Sequence, residues 1–87
     1  MEVAITPGAK KLIKKLSKIP QIAVIEKLKK LQLNSIPGVV KLSGYKDAFR
    51  IRVGDYRIVY RIMDGKIYVV LVGHRREIYK LLDRFIK

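Results

Sequence analysis

Four arginines, Arg50, Arg52, Arg57 and Arg61, fall in the single stretch from Ala48 to Arg61, where they are interleaved with apolar residues. A guanidinium group is permanently charged, and its planar fork matches the oxygens of a phosphate. Four such groups on adjacent strands are costly unless an anion sits among them, which points to a polyphosphate and foremost to nucleic acid. A solvated sheet face is the bland alternative; it is the preferred reading for two arginines, and for four on adjacent strands the anion site comes ahead of it. A second group follows at His74-Arg75-Arg76-Glu77-Ile78-Tyr79, with the one histidine of the chain and a tyrosine one helical turn beyond Arg75. Phenol and imidazole are the side chains in this group suited to moving a proton. Taken alone, Tyr79 reads equally as a helix tyrosine half-packed on a core, and His74 as an exposed turn residue. Arginine stays protonated in proteins, so the guanidinium groups can stabilise charge but cannot serve as bases.

Other chemistries find no support. The acids Glu2, Glu26, Asp47, Asp55, Asp64, Glu77 and Asp83 are scattered without ligand spacing, and the chain has no cysteine, so no metal set is expected. No glycine-rich phosphate loop, zinc-finger pattern or nucleophilic triad is present. The chemistry left is handling of a phosphate without a metal or cofactor.

The elements that must position these residues follow from periodicity. Phe49, Ile51 and Val53 share one face of a strand, which sends Arg50 and Arg52 to the other. After a tight turn at Gly54-Asp55, Tyr56, Ile58, Tyr60 and Ile62 share a face, and Arg57 and Arg61 project oppositely. Glu2 to Ile5 reads as a short first strand. Thr6 then Pro7 marks a helix start, and Ala9, Leu12, Ile13, Leu16 and Ile19 form one apolar stripe. Pro20 opens a second helix with Val24, Leu28 and Leu31 as its core line and Ile22, Ile25 and Leu33 in support. Asn34 to Gly38 is a loop, Asp64-Gly65 a second hairpin turn, and Lys66 to Gly73 a long strand. In that strand Ile67, Val69 and Leu71 alternate with Tyr68, Val70 and Val72, so both faces are apolar and it belongs inside the sheet. Ile78, Leu81, Leu82 and Phe85 give a short C-terminal helix. The expected fold is α+β: a small antiparallel sheet, an N-terminal helical hairpin and a C-terminal helix, with the helices packed on one sheet face.

The 87 residues make one domain, residues 1–87, with 49% hydrophobic residues to build its core. The net charge of +13, from 20 Lys+Arg against 7 Asp+Glu, favours an acidic partner. Lacking cysteine, a signal-like start and a membrane-length apolar run, the chain is expected to be soluble and cytoplasmic, with no membrane contact.

Three blocks resemble the RelE branch of the RelE/ParE toxin superfamily: Lys41-Leu42-Ser43-Gly44, Phe49 through Tyr60, and Val72-Gly73-His74-Arg75-Arg76-Glu77-Ile78-Tyr79. The resemblance extends over nearly the whole chain, leading helical hairpin included. It implies a RelE-like fold and the toxin half of a type II toxin–antitoxin module, one that enters the ribosomal aminoacyl site and cuts messenger RNA. It further implies an acidic, RelB-like antitoxin as partner. By resemblance, Arg50 and Arg52 act on the scissile phosphate, Arg57 stabilises developing charge, Arg75 lies near the leaving oxygen, and Tyr79 is the general base of some members. The chain departs from the pattern in having arginine at 50 and 52, where lysine often stands, so neither can take a proton. Lys41, Lys46, Arg61, His74 and Arg76 are further candidates for gripping RNA. The residue chemistry suits this activity independently, because RNA carries its own nucleophile in the 2′-hydroxyl. Two other readings stay open: a ParE-like inhibitor of DNA gyrase, and a basic RNA-binding module without catalysis.

Overall fold

The computed structural model describes residues 1–33 and 36–86. Asn34 and Ser35 of the expected loop, and Lys87, lie outside the described residues. After β1 (Val3–Ile5), Thr6 starts α1 (Pro7–Lys15) in the expected way. Its Oγ1 accepts the Ala9 N–H at 3.2 Å, and Pro7 takes a first-turn place where an N–H has no helical partner. α1 ends at Leu16, one turn short of the expected stripe, so Ile19 falls in the first turn of α2 (Lys18–Leu33) and is 83% exposed. Pro20 lies inside that first turn rather than opening it. Val24, Leu28 and Leu31 are buried as expected, whereas Ile22, Ile25 and Leu33 face outward.

The rest of the chain is β2 (Val40–Lys41), β3 (Ala48–Val53), β4 (Tyr56–Met63), β5 (Lys66–His74) and α3 (Ile78–Phe85). The sheet order is β1-β5-β4-β3-β2, antiparallel except for β1, which runs parallel to β5. Both hairpin turns are two-residue loops of the kinds that match strand twist. Gly54 at φ 58° opens the first, and Asp64 and Gly65, at 52° and 74°, form the second.

The sheet divides the interior in two. On one side Ile51, Ile58, Tyr60, Ile67, Val69 and Val72 pack beneath the α1–α2 hairpin. On the other, Ala48, Val59 and Leu71 pack against Ile78 and Leu82 of α3, with Leu42 beside them. The C-terminal helix therefore does not join the others on one face; it covers part of the face that carries the arginines. A bulge makes this arrangement possible. β4 pairs Tyr60 with Val69 but Val59 with Leu71, leaving Val70 as an extra residue. Strict alternation would put Ile67, Val69 and Leu71 on one face; after the bulge Leu71 serves the second core and Val72 the first.

At Gly73 side chains of α3 lie against the sheet backbone. A Cβ there would lie 3.0 Å from Leu81 Cδ1 and 3.5 Å from Ile78 Cδ1. Leu81 is half-buried and can yield, so Gly73→Ala is expected to be nearly neutral. Gly73→Val adds branches against fully buried Ile78 and is expected to cost about 1–3 kcal/mol, read as a lowered thermal midpoint.

Candidate nucleic-acid interface and active site

The β3–β4 register sets Arg52 directly opposite Arg57, and Arg50 opposite Val59. Directly paired residues share a sheet face with Cβ atoms about 4.5–5.5 Å apart, and like charges so placed are destabilising. Arg57 bends back over the hairpin turn, its Nη1 donating to the carbonyls of Gly54 and Tyr56, each at 2.9 Å. Burial, followed by the charges of Arg52 and Arg50, pushes the Arg57 pKa below the usual arginine value. Tyr79 opposes this shift and Arg75 adds to it, so all four groups lie within electrostatic reach of one guanidinium. Arg57 nonetheless stays a cation at any ordinary pH.

α3 brings Tyr79 to the cluster. Arg50 Nη1 donates to the Tyr79 hydroxyl at 2.5 Å, while Arg50 Nε is buried without a protein partner. The turn after β5 brings Arg75. Its N–H donates to the Asp55 carbonyl at 2.7 Å, and its Nε lies 3.7 Å from Asp55 Oδ1. Both partners of that ion pair are largely exposed, so it guides Arg75 to the hairpin tip and adds little stability. Arg50, Arg52, Arg57, Arg75 and Tyr79 thus gather at one end of one face, open to solvent. Four fixed positive charges at this spot can hold a phosphate and stabilise added charge on it, and the phenol can accept a proton once ionised.

The remaining sequence candidates lie elsewhere. Arg61 shares the face but stands four residues along β4 from Arg57, roughly 13 Å away. Its Nε is buried without a partner, and it lines a depression with Lys46, Asp47 and Asp64. Lys41 pairs with Phe49 and so belongs to the opposite side; with Lys46 it borders the loop from Leu42 to Asp47. His74 pairs with Tyr56 on that same opposite side and is not part of the cluster. Arg76 is exposed in the turn before α3. A contact the sequence did not suggest also holds α3: Tyr45 donates to Asp83 Oδ1 at 2.9 Å, which raises the Tyr45 pKa. The two residues are 38 positions apart, and no local pattern links them. Among the described residues no group of acids, histidines or cysteines could hold a metal ion, and no helix is long and apolar enough to cross a membrane.

A basic α+β domain that displays guanidinium groups and a helix tyrosine on one sheet face has the architecture of the small toxins of toxin–antitoxin modules. The family model described as the ParE toxin of type II toxin-antitoxin system, parDE, matches residues 3–79, and the chain belongs to that family within the RelE/ParE superfamily. Solved structures agree. The RelB–RelE antitoxin–toxin complex of Methanococcus jannaschii matches with a TM-score of 0.74 at 25% identity, over 86% of this chain and 93% of that one. The RelBE2 complex of Mycobacterium tuberculosis matches at 0.73 and 28% identity, over 85% and 96%. The isolated Escherichia coli RelE toxin matches at 0.69 and 27% identity, over 98% of both chains. Among curated proteins there is no match.

Proposed function

We propose that this type II toxin is a ribosome-dependent endoribonuclease that cuts messenger RNA in the ribosomal aminoacyl site and so stops translation. The observation that carries the reading is the convergence of Arg50, Arg52, Arg57, Arg75 and Tyr79, with Arg52 facing Arg57 across the hairpin. In the proposed reaction the 2′-oxygen attacks the adjacent phosphorus and the bond to the 5′-oxygen breaks. Tyr79, entering the step as a phenolate, receives the 2′-hydroxyl proton and becomes the phenol, and Arg57, with Arg50 and Arg52, neutralises the charge that builds on the phosphorane. Arg75 faces the departing 5′-oxygen, which takes its proton from water. The products are a 2′,3′-cyclic phosphate and a 5′-hydroxyl, and no protein or metal nucleophile is needed.

The open setting of the cluster accounts for the dependence on the ribosome. Arg52 is exposed, and Tyr79 is 50% exposed, so nothing in the toxin itself bends a flexible strand into line. The in-line geometry must come from whatever presents the messenger. Mapping of messenger ends in a translation reaction is expected to show new 5′-hydroxyl ends within codons only when toxin and ribosomes are both present. Ends that do not change on adding toxin would defeat the proposal.

Membership of the ParE toxin family favours a second reading, inhibition of DNA gyrase. A supercoiling assay beside the translation assay separates the two, since a gyrase inhibitor leaves translation untouched. For either target, the partner that holds the toxin in check is proposed to be an acidic antitoxin. The charge of +13, the exposed Ile22, Ile25 and Leu33 on α2, and the RelB-bound form of the similar structures support this.

A further inference from the structure

The three backbone N–H groups between β5 and α3 all have acceptors, and His74 supplies two of them. The Arg75 N–H donates to Asp55, and the Glu77 N–H donates to the His74 carbonyl at 2.9 Å. The Arg76 N–H donates to His74 Nδ1 at 3.1 Å. Any residue at position 74 would offer the carbonyl; the Nδ1 acceptor belongs to the side chain alone. The ring is steadied by edge-on packing against Tyr56, with centroids 5.4 Å apart and planes at 80°. It lies on the sheet face away from the guanidinium groups, so its contribution cannot be direct contact with an anion held there. Yet the turn it closes begins with Arg75 and leads into α3, whose second residue is Tyr79.

We infer that His74 is a positioning residue: its Nδ1, by accepting the Arg76 N–H, fixes the β5–α3 turn in the shape that sets Arg75 and Tyr79 beside Arg57 and Arg50. For its effect on rate this role rests on the ribonuclease reading above; its effect on the Arg76 amide does not. Three variants isolate the acceptor. His74→Asn returns an oxygen close to the Nδ1 position, His74→Gln carries its amide one bond too far, and His74→Phe keeps the ring without an acceptor.

Messenger cleavage is measured at saturating and limiting ribosome complex, and Arg76 amide exchange by NMR. His74→Phe is expected to lower the saturated rate about 10–100-fold with the half-saturating concentration nearly unchanged, because a small misplacement of the reacting groups is costly. The same variant should exchange the Arg76 amide about tenfold faster, the worth of roughly one hydrogen bond. His74→Asn is expected to keep both properties close to those of the parent toxin. Parent-like cleavage by His74→Phe overturns the assignment, as does an Asn variant as poor as the Phe variant. Should His74→Phe fail to fold, Asn and Gln decide: equal behaviour of the two overturns it, and loss in Gln alone supports it. A parent toxin that cuts no messenger removes the ribonuclease reading, and the amide comparison still decides the role of His74.

Discussion

Arg57→Ala is expected to lower messenger cleavage about 10²–10³-fold and to abolish growth arrest, with the fold intact. The magnitude follows from removing one preorganised charge aimed at a phosphorane, where such groups are worth the most. Arg57 sits where Arg50, Arg52, Arg75 and Tyr79 all reach it electrostatically, so its loss removes a charge the whole cluster shares. Its structural role is slight. It bonds only to the carbonyls of Gly54 and Tyr56 at an open hairpin end, and its removal relieves repulsion with Arg52. The thermal midpoint should therefore hold steady, which separates lost chemistry from lost folding. Arg57→Lys keeps the charge but not the fork, and is expected to fall between the two. Sustained growth arrest by the Ala variant would show that the guanidinium cluster is not where the toxin acts.

The second large effect is expected from Leu82→Ala. Leu82 is fully buried and, with Ile78, forms the seat of α3 on Ala48, Val59 and Leu71. Truncating a buried leucine costs about 2–5 kcal/mol, a large share of the stability of a domain this size. The loss is expected to be local at first. α3 has 8 residues, too few to stay helical without its packing, whereas the α1–α2 core lies on the far side of the sheet. Hydrogen exchange should therefore show α3 opening before the strands do, with Tyr79 drawn away from Arg50 and cleavage falling together with the helix. Uniform exchange across α3 and the strands would mean that the two cores unfold as one.

Much of this architecture was legible from short-range pattern. Period-two alternation around Gly54-Asp55 gave the hairpin and the face of each arginine, and Thr6-Pro7 gave the start of α1. Where sequence reading fell short, the controlling interactions were long-range. Nothing local in Lys66 to Gly73 marks Val70 as an extra residue, because valine suits either face of a buried strand. The seat of α3 depends on that bulge and on Tyr45 reaching Asp83, so its side of the sheet could not be read from its own amphipathic spacing. Ile19 continues the spacing of α1 yet belongs to α2, because the bend at Leu16 to Ser17 carries no glycine or proline to announce it. At the site, the arginine faces followed from alternation. His74 follows them in a charged run of sequence, yet its register partner, Tyr56, lies on the far side of the sheet.

The extra residue at Val70 means that every face assignment in β5 beyond it rests on one irregularity. If Val70 instead took a regular place in the ladder, each later side chain would exchange faces: Leu71 would turn beneath the helical hairpin, Val72 would rise opposite Arg57, and Gly73 would leave its place against α3. A chain shortened by Val70 alone would keep Val69 opposite Tyr60 and Leu71 opposite Val59, and with them the groove in which its last helix rests.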